Sequence, residues 1–225
     1  MLTKQFAIHF WLPAIMLTLV DWPAASLAQT IRDQPKGRPA VAGAKSKYTL
    51  YWPPALNNYY PDIQMMSLSG KPVRLSSFAG KVILVEPIGM SCPACQAYAG
   101  GDRCGGINGV SPQGGVESAD KMLSSHNISP ADSRLVRVQL LLYGPNMQAP
   151  TLAEAQAWAK HFGFGQKPNE VVLIADGQYQ NSGSYNMIPG FQLIDKDFVL
   201  RSDACGHYPK SGLYDHLLPM LKKLL

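Results

Sequence analysis

The chain has 225 residues, of which 46% are hydrophobic and 16% charged, a composition that suits one globular domain with its own core and excludes a disordered or low-complexity chain. The formal net charge of +5 is local: Lys4 and Asp21 cancel, while Arg32, Lys36, Arg38, Lys45 and Lys47 against Asp33 leave +4 between residues 29 and 48. Basic and aromatic residues are not interleaved on any one element, which argues against a nucleic-acid partner.

The chain opens with Lys4, an apolar stretch from Phe6 to Val20, and the small-residue sequence Ser26-Leu27-Ala28 before Gln29. This pattern predicts a secretory signal peptide over residues 1–28. The apolar run, interrupted by His9 and Pro13, is shorter than the roughly 20 residues of a membrane span. Retention as an N-terminal anchor stays open beside cleavage. Residues 29–58 then read as a polar, basic linker, either solvated or lying near anionic lipid headgroups, and residues 59–225 as the folded domain.

Within the domain, Ile63 to Leu75 reads as two short strands around a Ser69-Gly70 turn. Lys81-Val82-Ile83-Leu84-Val85-Glu86-Pro87 is a short buried strand, and Cys92-Pro93-Ala94-Cys95 begins a helix that Gly100-Gly101 should stop. Seven glycines between residues 100 and 116 predict a long loop beside that helix. Leu135–Tyr143 is a central strand, and Thr151 with Glu154 forms a capping box for a helix from 151 to about 161. Glu170–Ala175 is a strand, 191–195 and 198–202 a hairpin, and 213–224 a closing helix interrupted at Pro219. Strands alternating with helices, followed by a hairpin and a helix, predict an α/β fold.

Two cysteines separated by two residues on the first turn of a helix can close a reversible disulfide. The attacking species is the thiolate, and unpaired backbone N–H groups at a helix N-terminus favour that anion on Cys92. Cys95, one turn deeper, then resolves the mixed disulfide. Pro93 suits the first turn, where its missing N–H costs little. A zinc half-site is the competing reading of such a pair, but no second C-x-x-C or H-x3-H follows to complete four ligands. Cys104 and Cys205 bring the cysteines to an even count of four, so a second, structural disulfide between them is expected in an oxidising compartment, with two independent thiols or an exchange relay as the alternatives.

Tyr60-Pro61-Asp62-Ile63, Gly70-Lys71-Pro72-Val73, Leu75-Ser76-Ser77-Phe78-Ala79-Gly80-Lys81, the Cys92–Cys95 motif and Ile188-Pro189-Gly190-Phe191-Gln192-Leu193-Ile194-Asp195 together resemble the TlpA/ResA branch of the thioredoxin superfamily. The resemblance implies a thioredoxin-like fold, a central mixed sheet flanked by helices with an added N-terminal hairpin, and exported thiol–disulfide exchange. It makes Pro189 the family's cis-proline. The backbone of Ile188 would then pair with an incoming cysteine peptide. It also matches Glu86 to the family's buried acid, which relays the proton Cys95 must lose; an exposed strand-end position before Pro87 is the alternative. The chain departs from the family at Ser91, where relatives usually carry tryptophan.

Two relatives of the fold offer other chemistry. A Sco-like copper chaperone would need a histidine where Ile188-Pro189 stands, with His207 as the substitute at hand. A peroxiredoxin would need a hydroxyl three residues before its cysteine, where the chain has Gly89. The expected function is therefore a periplasmic thiol–disulfide oxidoreductase, acting mainly as a reductant on disulfide-containing periplasmic proteins. It needs no cofactor or metal, and a membrane thiol-redox partner supplies its electrons.

Overall fold

The computed structural model describes residues 51–225; the expected signal peptide and most of the linker lie outside the described residues. A seven-stranded sheet organises this part of the chain, built from β1 (Gln64–Ser67), β2 (Pro72–Arg74), β3 (Val82–Gly89), β4 (Leu135–Tyr143), β5 (Glu170–Ile174), β6 (Gly190–Ile194) and β7 (Leu200–Cys205), in the order β2-β1-β5-β4-β3-β6-β7. β3, β4 and β5 run parallel, whereas β6 and β7 turn back antiparallel on the other side of β3. The helices include α1 (Pro93–Gln96), α2 (Ala119–Ser125), α3 (Leu152–Phe162) and α4 (Leu218–Leu224), with further helical turns among them.

The central strands form because they are apolar on both faces, as parallel strands covered by helices must be. Every residue of β3 and β4 is buried. Ile83, Val85 and Ile88 enter the larger core cluster with Val136, Val138 and Trp158, while Val82 and Leu84 enter a smaller one with Leu135, Phe191 and Leu217. Glu86 and Gln139 share the parity of the second set and stand opposite one another in register. Pro87 is tolerated in a central strand because β6 pairs only with Ile83–Val85, so its missing N–H breaks no rung on that side.

The hairpin β1–β2, the strands β4 and β5 and the capping box on α3 lie where the sequence pattern put them. Three elements differ. The segment after Cys95 does not stop at Gly100-Gly101: α1 widens into a π-turn over Ala97–Gly101, bends at Gly100 with φ 120°, and makes one more turn through Asp102–Cys104. α2 falls in a stretch with no apolar periodicity long enough to announce it. Pro219 does not interrupt the last helix, because it occupies the first turn of α4, after a π-turn at Leu213–Leu217. Residues 52–58, which read as the end of the linker, are tied to the domain: Trp52 Nε1 donates to the Tyr179 carbonyl at 2.9 Å and the Asn57 N–H to that of Leu200 at 2.8 Å. Among the described residues no helix is long and apolar enough to cross a membrane.

Candidate active site

Cys92 sits one residue beyond the turn that leaves β3. Its N–H donates to the Gly89 carbonyl at 3.0 Å, and its extended backbone makes it the N-cap of α1. Its sulfur accepts the Cys95 N–H at 3.3 Å. Hydrogen bonding from the Cys95 thiol, aided by the backbone N–H groups of Cys95 and Ala94, outweighs burial and lowers the Cys92 pKa to about 6. These local donors do the work, since a four-residue helix followed by a π-turn has little macrodipole to contribute. Cys95 is 1% exposed, and burial, followed by its bond to Cys92, pushes its thiol well above the ordinary range. One turn thus holds an ionised, half-buried sulfur and a buried protonated one.

A cavity of about 270 Å³ opens onto Cys92, lined among others by Ser91, Gln113, Met147, Tyr185, Ile188, Pro189 and His207. The Ile188–Pro189 peptide is cis, and both residues lie in this cavity wall. The Ile188 N–H is already given to the Tyr185 carbonyl at 3.1 Å, so that side of Ile188 is not available to an extended partner. Its carbonyl accepts no hydrogen bond within the described residues. Gly190 is required behind it, because a Cβ there would run into the Ala204 carbonyl, and its φ of 141° lies outside the range of other residues. Met147, Tyr185 and Gln113 carried no motif that could have announced them. Two exposed apolar side chains, Met147 at 39% and Tyr185 at 56%, are brought to Cys92 only by the fold.

Glu86 is buried at 4% exposure, not at an exposed strand end. Gln139 Nε2 donates to its Oε2 at 3.2 Å, and Trp158 Nε1 donates to the oxygen of the same Gln139 amide at 3.1 Å, which fixes the amide's direction. Glu86 Oε1 has no hydrogen-bond partner among the described residues. Burial, opposed by the Gln139 bond, raises the Glu86 pKa to about 8.

Cys104 and Cys205 are not bridged; both are free thiols. Cys104 is exposed at the end of the turn after α1 and donates to the Gly100 carbonyl at 3.2 Å. Cys205 is buried at the end of β7, opposite Gly190, in a separate cavity with Pro53, Asn186 and Asp203. The even cysteine count gave no information on placement, and the fold gives the two thiols different surroundings. Among the described residues no group of three or more His, Cys, Asp or Glu side chains is placed to hold a metal ion.

A parallel β3–β4 pair, an antiparallel β6–β7 pair, a dithiol on the turn after β3 and a cis-proline before β6 define a thioredoxin-like α/β fold. No protein-family model matches the chain, and no curated protein matches it. Among solved structures it is similar to the thioredoxin domain of a thiol–disulfide oxidoreductase from Bacteroides vulgatus, at 17% identity over 76% of this chain and 97% of that one, with a TM-score of 0.47. A candidate electron transfer protein from Aquifex aeolicus is similar at 15% identity over 76% and 96%, with a TM-score of 0.49. A third is BsSco, of the Sco family of cytochrome c oxidase assembly proteins, at 16% identity over 76% and 95%, with a TM-score of 0.46. All three scores lie below 0.5, and the chemistry is read from the site alone.

Proposed function

We propose that the protein is an exported thiol–disulfide oxidoreductase. Cys92 attacks a partner disulfide, Cys95 resolves the mixed disulfide, and Glu86 takes up the proton that Cys95 releases. The single observation that carries this reading is the geometry of one turn: the Cys92 sulfur, at the helix N-cap, opens onto the cavity walled by the cis Ile188–Pro189 peptide and accepts the Cys95 N–H at 3.3 Å, while the Cys95 thiol is buried beneath it, an arrangement that lowers the pKa of the first thiol and raises that of the second. That is the division of labour a two-step exchange requires, because the first sulfur must attack as a thiolate and the second must wait for the mixed disulfide to form.

The Ile188 carbonyl and Pro189 shape the wall against which a partner segment lies, so the partner contributes one N–H donor there and not a full strand ladder. The N-terminal leader supports action outside the cytoplasm, on disulfide-containing periplasmic proteins and in the reducing direction. Recharging then falls to a membrane thiol-redox partner. Residues 1–28 act as the signal, and the basic segment after it as a polar linker, solvated or lying near anionic lipid headgroups.

The test is insulin reduction with dithiothreitol, alongside Cys92→Ser and Cys95→Ser, with copper(I) titrated on the same samples. Activity should vanish in Cys92→Ser, and Cys95→Ser should trap a mixed disulfide. Inactivity with tight stoichiometric copper binding through both cysteines would replace exchange by metal delivery.

A further inference from the structure

The cavity that opens onto Cys92 has to receive a partner disulfide, and one sulfur of that disulfide must depart with a full electron pair. Displacement at sulfur is in line, so the departing atom lies beyond the attacked one as seen from Cys92, and the rest of the wall must meet it. Departure is faster the lower the pKa of the leaving thiol, and an ordinary thiolate released against apolar walls is costly without a donor. The wall offers few donors. Pro189 has no N–H, the Ile188 N–H is bonded to the Tyr185 carbonyl at 3.1 Å, and the Ser91 hydroxyl is given to Met147 Sδ at 3.2 Å. Gln113 can donate a hydrogen bond from its amide but holds no proton to transfer. No Lys, Arg, Asp or Glu lines this cavity among the described residues.

We propose that His207 is the proton donor to the sulfur that leaves the partner disulfide in the first exchange step. The inference rests on the exchange reading above and adds a residue to it. His207 lines the same cavity as Cys92, Ile188 and Pro189, is exposed, and its imidazole makes no hydrogen bond or ion pair among the described residues. Of the side chains in that wall it alone can carry a positive charge, and histidine is the side chain that serves as a general acid around neutrality. The backbone fixes its place. It follows Gly206, whose N–H donates to the Pro189 carbonyl at 2.7 Å. A Cβ on Gly206 would run into the Asn186 carbonyl, so the turn after β7 is laid directly against the cis-proline loop. The cation nearest to His207 in the sequence, Lys210, is bonded to Asp203 at 2.9 Å and lines the separate cavity that holds Cys205.

In this step the Cys92 thiolate bonds to the nearer partner sulfur and the partner S–S bond breaks, its electron pair going to the farther sulfur. The imidazolium N–H proton of His207 passes to that sulfur. The partner's first cysteine therefore leaves as a neutral thiol, the other stays in the mixed disulfide with Cys92, and His207 is left neutral. Solvent at the exposed ring restores its proton. His207 takes no part in the electron balance: both electrons that reduce the partner come from the sulfurs of Cys92 and Cys95, which are joined in a disulfide once Cys95 resolves the intermediate.

The experiment compares two small, uncharged disulfides that differ in their leaving groups. One is 2-hydroxyethyl disulfide, which releases an ordinary alkyl thiol; the other is 4,4′-dithiodipyridine, whose thiopyridine leaves readily without a proton on sulfur. All proteins carry Cys95→Ser, so that reaction stops at the first mixed disulfide, and Cys104→Ser, which removes the exposed thiol. Adduct formation on the Cys92 peptide is timed by mass at about pH 6.5 for this parent and for its His207→Gln and Tyr185→Phe derivatives. The expected result is that His207→Gln slows reaction with 2-hydroxyethyl disulfide on the order of tenfold or more while dithiodipyridine reacts at the parent rate. Equal slowing with both reagents would make His207 a residue that only shapes the cavity, and no slowing with either would remove it from the reaction; each overturns the proposal. A selective loss in Tyr185→Phe in place of His207→Gln would move the donor to the phenol. A parent protein that forms no Cys92 adduct with either reagent would instead remove the exchange reading itself, and the donor role with it.

Discussion

Glu86 and Gln139 stand opposite each other on the parallel strands β3 and β4, and the amide of Gln139 donates to one carboxylate oxygen at 3.2 Å while the other oxygen has no partner. The bond favours the charged form and the burial disfavours it, and burial wins: the Glu86 pKa rises from 4.5 to about 8. One neutral amide is too weak a partner to offset removal from water.

That balance gives a stability profile. Between pH 4.5 and 8 the unfolded chain has released the Glu86 proton and the folded chain still holds it. The unfolded state therefore binds fewer protons, and stability falls as pH rises through this window. It levels off above the folded pKa. The loss at pH 7 amounts to about 3 kcal/mol at most, from the 2.5 units between 4.5 and 7 at about 1.36 kcal/mol each. Urea midpoints from pH 4.5 to 8.5 should fall for the wild type and stay flatter for Glu86→Gln, with the variant more stable at pH 7. Parallel curves for the two proteins would show that Glu86 ionises normally.

Cys92 reactivity follows from the donors around its sulfur. With a pKa of about 6, about 90% of Cys92 is thiolate at pH 7, and alkylation by iodoacetamide should reach half its limiting rate near pH 6. Cys95→Ala removes the largest of the lowering contacts and leaves the backbone N–H groups in place. The half-maximal point should therefore move up while remaining below that of a free cysteine. An unchanged midpoint in Cys95→Ala would assign the effect to the backbone alone.

How far the sequence revealed this depends on whether each signal was local. The capping box of Thr151 and Glu154 needs three residues and was legible. The nine-residue run Leu135–Tyr143 was legible as a buried strand, but the meaning of Arg137 and Gln139 within it was not. Their partners, Asp120, Glu170, Glu86 and Trp158, are distant in sequence and meet only through strand register and helix packing. The cis bond at Ile188–Pro189 was legible only through resemblance, since a lone X-Pro favours trans. Gly100 and Gly101 read as a stop, yet Gly100 is the bend through which the segment continues, and Gly101 packs where a Cβ would meet Pro112 at 2.5 Å.

The redox potential should reflect the same thiolate. Stabilising the Cys92 anion stabilises the reduced protein and makes it more oxidising. Thioredoxin, with a thiol pKa of about 7, has a potential of about −270 mV. A pKa of about 6 is one unit lower, worth about 1.36 kcal/mol or about 30 mV for two electrons, which places this protein near roughly −240 mV. Equilibration with glutathione buffers measures it directly. A value close to that of DsbA, about −120 mV, would contradict the reducing direction proposed above.

Gln96, directly after Cys95 and fully buried, joins the motif to the glycine-rich loop. Its Nε2 donates to the Met90 carbonyl at 2.8 Å and to that of Ile107 at 3.0 Å, and its Oε1 accepts the Ile107 N–H at 2.8 Å. Farther along, the Gln113 N–H donates to the Pro93 carbonyl at 3.0 Å, so the loop is bonded at both ends to the segment that carries the cysteines. Gln96→Leu keeps the volume roughly constant but strands three backbone groups, at about 1–3 kcal/mol for each one that stays dry. Because the loop can shift to admit water, the expected net loss is about 2–4 kcal/mol in urea unfolding. Proteolysis should concentrate in residues 105–113, where the released backbone becomes accessible. Gln96→Glu, neutral at low pH, keeps the acceptor for the Ile107 N–H and has a single O–H donor for the Met90 and Ile107 carbonyls that the amide served together, so it should fall between the wild type and leucine there. A loss below about 1 kcal/mol for leucine, with no new cleavage in the loop, would mean that glycine packing alone, and not the Gln96 clamp, holds the loop against the site.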